Sequence, residues 1–277
     1  MRKEVRTAFL CALFALSACS EKISSSQASS QTEDKPAEHM EFENEVIFDI
    51  MKEGTGASGY YWDIEIENLT GKTLYFSMEN VTINGVVADP MWGIGLAAEE
   101  RKAARITWAQ GLLDTSHIEK VTAAEFDLCG IDEKDEFKEV FKEHISIYPE
   151  GKEAAKEQEY TASEGETVMI DSDDMLLIIQ KPEEAEVGYS AEIYMENRSD
   201  KELFLQSSDE TTVNGSSANP YWFYQIPAGK KAYSRVYILP ELMDETAELN
   251  AIELFIEVFA NEEMSGEPLM KGSAVLK

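Results

Sequence analysis

One segment of this chain is written twice. Gly59-Tyr60, Ile64, Glu67-Asn68, Lys72 and Leu74 recur 129 positions later as Gly188-Tyr189, Ile193, Glu196-Asn197, Lys201 and Leu203. After one inserted residue the offset becomes 130. Thr82, Asn84-Gly85, Ala88, Pro90, Trp92, Ala98 and Arg105 then match Thr212, Asn214-Gly215, Ala218, Pro220, Trp222, Ala228 and Arg235. Across residues 59–76 and 81–108 there are 15 identities in 46 positions, where random pairing at ordinary usage gives roughly 3. Whatever this segment folds into must therefore fold twice, and 277 residues suffice for two domains of common size.

Each copy reads as short strands. Tyr60–Glu67 (YYWDIEIE) and Ser190–Glu196 (SAEIYME) alternate with period two, the mark of a half-buried strand. Turns are expected at Asn68–Gly71 and Asn197–Asp200, where Asn and Ser/Thr side chains satisfy local backbone groups. Asn84-Gly85 and Asn214-Gly215 are hairpin signals, because both central residues of a type I′ turn need positive φ. Further strands fit Lys102–Trp108, Glu125–Cys129 and Val140–Tyr148, with counterparts at Lys231–Ile238, Glu253–Phe259 and Leu269–Leu276. Val46–Lys52 and Met175–Lys181 supply an early strand in each copy, and Glu166–Ile170 an added first strand in the second. Leu112–Lys120 and Leu242–Leu249 fit one helical turn each. About seven or eight strands per copy is the count of an immunoglobulin-like sandwich. The expectation is all-β: two tandem sandwich domains at 44–149 and 166–277, joined by a polar linker at 150–165, with a modest interface and room for relative motion.

The N-terminus is an address. Arg2, Lys3 and Arg6 precede the apolar run Ala8–Leu16. That run is about half the roughly 20 residues a spanning helix needs, and its basic start fits a secretory signal. Leu16-Ser17-Ala18-Cys19 resembles the lipobox of bacterial lipoproteins, in which the Cys accepts diacylglycerol. The resemblance implies a signal peptide at 1–18, lipid on Cys19 and a membrane anchor on the extracytoplasmic face. An ordinary cleaved signal is the alternative. Residues 19–43, rich in Ser, Gln, Glu and Lys, read as a disordered tether.

The Glu-Asn-x-[Ser/Thr]-x-Lys-x-Leu segments (Glu67–Leu74, Glu196–Leu203), the Asn-Gly hairpins and Ala228-Gly229-Lys230-Lys231 together resemble a family of uncharacterised Gram-positive lipoproteins with tandem immunoglobulin-like domains. The first copy departs from the last motif, with Ala98-Glu99-Glu100-Arg101. The resemblance implies a fold and a location and brings no activity, ligand or catalytic residue.

Charge narrows the partners. With 54 Asp+Glu against 24 Lys+Arg, the net charge is −30, which argues against nucleic acid and against attraction to an acidic lipid surface. Three Cys and three His leave little for a disulfide framework or a His/Cys zinc site. His117 and His144 have no Ser or Cys partner at a known catalytic spacing, and neither a phosphate loop nor HExxH occurs. Asp171–Asp174 and Asp132–Glu136 lack the glycine of an EF-hand loop, so solvated surface is the reading there. Cys129 reads as a small buried residue, and the four Asn-x-Ser/Thr matches as turn chemistry. Neither a cofactor nor a metal is expected.

The distinctive side chains follow the hairpins: Trp92 in the first copy, Tyr221, Trp222, Phe223 and Tyr224 in the second. They are an aromatic platform for a sugar or peptide, or the two Trp fill the gap between sheets. Any exposed aromatic patch belongs to the second copy. The function expected is a non-enzymatic interaction or spacer module contacting a protein or glycan. The alternative is an accessory subunit that binds a small solute or metal for a transporter.

Overall fold

The structure is a computed structural model, and it describes residues 38–43, 45–132, 134–135, 137–218, 220–239 and 249–277. The signal segment, Cys19 and the second expected helical turn, apart from Leu249, lie outside the described residues. The described residues all fall in one compact unit, Lys35–Lys277.

The first copy contains β1 (Glu38–Phe42), β2 (Val46–Gly56), β3 (Gly59–Asn68), β4 (Leu74–Ile83), β5 (Val86–Val87), β6 (Gly93–Leu96), β7 (Arg101–Ala109), β8 (Ala124–Asp132) and β9 (Lys138–Ile147). A single turn of helix, α1 (Gln110–Thr115), follows β7. One sheet runs β1-β2-β3-β7; the other is built from β5, β4, β8 and β9, with β6 also on β4. Between them Trp62, Trp108, Phe48, Phe76 and Phe126 are fully buried. Burial alternates along β3 as the period-two pattern requires.

The second copy repeats this order, with the counterparts of β2 and β4 each broken into two shorter strands. β10 (Thr167–Asp171), β11 (Met175–Ile179), β13 (Tyr189–Asn197) and β18 (Lys231–Ile238) form one sheet, with the two-residue β12 (Glu183–Glu184) on β13. β14 (Leu203–Ser207), β15 (Thr212–Val213), β16 (Ser216–Ser217), β17 (Phe223–Ile226), β19 (Ile252–Phe259) and β20 (Met270–Leu276) form the other. A second, aliphatic core lies between them, with Leu177, Ile193, Leu205, Ile256 and Val258. The architecture is all-β and immunoglobulin-like.

Local chemistry explains why both copies turn alike. The Asn68 amide donates to the carbonyls of Lys72 (2.8 Å) and Ala97 (2.9 Å), while its oxygen accepts from the Thr70 N–H and hydroxyl. Asn197 makes the same set with Lys201 (2.7 Å), Pro227 (3.1 Å) and Ser199. Both are buried. Each Asn thus ties the turn after one strand to the loop before another. In the hairpins, Asn84 and Asn214 take φ of 52° and 51°, and Gly85 and Gly215 follow at 79° and 80°. The side-chain oxygens of both asparagines accept backbone N–H groups of distant loops, at Thr122 and Ala123 in one copy and Asn250 and Ala251 in the other. The apparent glycosylation motifs at Asn68, Asn197 and Asn214 serve turns.

Two findings differ from expectation. Glu38–Phe42, inside the stretch read as tether, pairs with β2 as a first strand. Met40 and Phe42 pack against the first core and His39 bonds Asp49 (2.6 Å), so two apolar residues in a polar stretch suffice to dock it. The segment 150–165 is also no free-hanging linker. The Gln158 N–H donates to Asn84, Lys156 exchanges bonds with Thr122, and Tyr160 stacks on Tyr194 at 4.3 Å. Val86 then pairs with Lys231 in the only parallel bridge among the described residues, which makes one ten-stranded sheet of strands from both copies.

Candidate functional site

The loop after each Asn-Gly hairpin must turn the chain into an edge strand. At its apex the backbone enters the left-handed region at a bulky residue, Met91 (φ 53°) and Tyr221 (φ 50°). A non-glycine side chain there is disfavoured by roughly 1–2 kcal/mol. In the first copy the Asp89 carboxylate accepts the Met91 N–H (2.7 Å) and holds the apex. Both apex side chains project outward, Met91 90% and Tyr221 88% exposed.

The sequence-derived aromatic set is divided by the structure. Trp222 is buried in the second core, with its indole N–H on Ser234 (3.0 Å), and Trp92 is half-buried against the first core. Tyr224 stacks beside Trp222 and is half-buried; burial and the Asp89 carboxylate push its hydroxyl up to about 12. Tyr221 and Phe223 stand out, with Phe223 half exposed. Phe223 opens β17, which pairs only with β14 and leaves its other edge unpaired in the sheet. An edge strand flanked by exposed rings offers backbone hydrogen bonds and flat apolar area together.

The junction between the copies was not foreseen. On the outer face of β11, β13 and β18, Ile178, Tyr194 and Tyr233 sit side by side in register. Val86 from the β4–β5 hairpin packs into them, and Val87 reaches the second core. Beside them His117 contacts Glu192 (2.8 Å) and its ring lies against Tyr233. The cavity here, about 800 Å³, is lined by groups bound to one another, among them Lys120 with Glu150 and His117 with Glu192. The signal was available in outward strand positions that are polar in one copy and apolar in the other.

The remaining candidates are occupied. His144 contacts Asp127 (2.9 Å) and, among the described residues, hydrogen-bonds neither a Ser nor a Cys. Asp171 is paired with Arg198 and Asp132 with Lys72. Glu79, Cys129 and Glu139 bring ligand atoms within 4.8 Å of one another. The Lys142 ammonium lies 2.9 Å from Glu79 and 3.7 Å from Glu139, supplying the cation itself. Burial, then the charge of Glu79, raises the Cys129 thiol to about 12, so it is protonated at neutral pH. No described helix is long and apolar enough to cross a membrane. No family model and no curated protein matches the chain.

Proposed function

We propose that this chain is a lipid-anchored extracytoplasmic interaction module without catalytic activity, which holds an extended protein or glycan against the outer edge of its second copy. The observation that carries the reading is Tyr221, held outward by a disfavoured backbone beside Phe223 on an open edge strand. Exposed aromatic area rimmed by polar residues is typical of interaction surfaces, and an open edge can accept an added strand. The lipobox-like Leu16–Cys19 and the net charge of −30 support a body tethered near a surface by lipid, with no attraction of its own for acidic headgroups.

The test is retention of the full chain on isolated peptidoglycan sacculi and on arrays of cell-wall glycans and extended peptides. Retention that falls at least tenfold in Y221A/F223A, about 1.4 kcal/mol, supports the edge. Retention unchanged in that variant, or absent from every probe, overturns it. For the anchor, Cys19→Ala is expected to move the protein from the membrane to the soluble fraction.

A further inference from the structure

A second cavity, about 310 Å³, opens where the segment after β9 crosses from one copy to the other. Its charge runs against the rest of the molecule. Lys152, Lys156, Lys230 and Lys231 line it, opposed by Glu125 and Glu157, in a chain with more than twice as many acidic as basic residues. Lys230 is paired with Glu125 (3.0 Å) and Lys231 with Glu157 (3.1 Å). Among the described residues Lys152 and Lys156 have no carboxylate within 4.0 Å. The Lys152 ammonium lies 5.9 Å from the centre of the Tyr148 ring. The pocket therefore holds two uncompensated positive charges.

The pocket also holds an orphan. Thr82 on β4 lines it and is fully buried. Its hydroxyl is the only buried side-chain polar atom among the described residues without a hydrogen-bond partner. Buried polar groups are almost always satisfied, and one that is not calls for an explanation. The other copy shows what the position ordinarily does, since the matching Thr212 hydroxyl meets Glu253 at 3.5 Å. In the first copy the matching Glu125 is drawn to Lys230 instead, and the Thr82 hydroxyl is left without a partner.

From the orphan hydroxyl and the unpaired lysines together we infer that this cavity is a binding site for a small phosphate-class oxyanion. Lys152 and Lys156 supply the charge and the Thr82 hydroxyl donates a hydrogen bond. Lysine is a point-charge phosphate ligand, and a hydroxyl donates to such an oxygen readily. The site stands on residues other than the aromatic edge, so either can fail without the other.

Inorganic phosphate is the probe. The full chain is melted in 0–20 mM phosphate at constant ionic strength set with chloride, and binding is measured in parallel by calorimetry. The wild type is expected to show a saturable rise in Tm and a matching heat of binding. K152A/K156A is expected to melt with the wild type in chloride, because neither lysine holds an ion pair, and to lose the phosphate response. T82V keeps the side-chain shape, folds as well as the wild type, and binds phosphate at least fivefold more weakly. No phosphate-specific rise in the wild type overturns the inference, as does a response equally large in K152A/K156A.

Discussion

The two copies agree in topology and disagree where they face outward. On the joining face of the second copy, Ile178, Tyr194 and Tyr233 form a buried ladder across three strands. The matching positions of the first copy are Asp49, Glu65 and Ala103, in the same register. There Arg101 contacts Asp49 and Glu65, and His39 adds to Asp49, a salt-bridged polar surface. The hairpins show the reverse. Val86 and Val87 of the first copy enter the second, while Ser216 and Ser217 at the matching positions are exposed. A head-to-tail contact between identical repeats can add units indefinitely. The salt-bridged surface at one outer end and the exposed serines at the other do not repeat the apolar contact that joins the copies.

The cores differ as well. Trp62, Trp108 and Phe126 of the first copy correspond to Ala191, Ile238 and Leu254 of the second, so the first is built on interlocked rings and the second on aliphatic chains. Trp62 lies edge-on to Trp108 at 4.7 Å and donates its indole N–H to Tyr60 (2.9 Å). The largest expected effect follows. Trp62→Ala gives the first copy the residue the second already has, yet it removes a buried ring that Ala191's surroundings do not miss. It should destabilise the protein by about 3–5 kcal/mol in denaturant titration. A loss below about 1 kcal/mol would show that the two cores are interchangeable and break the comparison.

The sequence made the sandwiches legible because their signals are local. Asn68 and Asn197 announce turns, Asn-Gly announces hairpins, and alternation from Tyr60 to Glu67 announces a strand; each acts within a few residues of itself. The junction depends on positions far apart in sequence. Tyr194 and Tyr233 occupy outward slots that read as solvent-facing in any single strand, and only their company with Ile178 and Val86 buries them. Of the aromatic candidates, the backbone decided the roles. Trp222 and Tyr221 are neighbours, but one points into the sandwich and the other sits at an apex with positive φ. Thr82 carried no sequence signal at all, since its lack of a partner depends on where Lys230 draws Glu125.

An intermediate effect tests the junction. Val86→Ser with Val87→Ser transplants the second copy's hairpin into the first. Full burial of one valine contributes roughly 1.5–3 kcal/mol, and the single parallel bridge between Val86 and Lys231 gives little to replace it. Each copy keeps its own core, so the variant is expected to unfold in two resolved steps where the wild type shows one. A single, undisplaced transition would mean that the segment 150–165, through Gln158 and Tyr160, couples the copies without the hairpin.

The smallest effect concerns one outward position on the third pair of matching strands. In the second copy Glu257 on β19 holds Lys271 of β20 at 2.8 Å. In the first, Lys142 of β9 keeps the cation but the residue opposite it is Cys129, and the balancing carboxylates are Glu79 on β4 and Glu139 on β9 itself. The thiol is thus buried beside that ion pair, within reach of the Glu79 carboxylate. Burial first, and Glu79 second, hold it protonated near a value of about 12, so only about one thiol in 10,000 is ionised at pH 8. With Cys11 and Cys19 replaced by Ser, the folded protein should react with a thiol reagent at pH 8 no faster than it opens, and fully once denatured. Fast stoichiometric labelling of the native state would show that Lys142 faces the sulfur as a partner, as Lys271 faces Glu257, and the two copies would then share one charge arrangement instead of two.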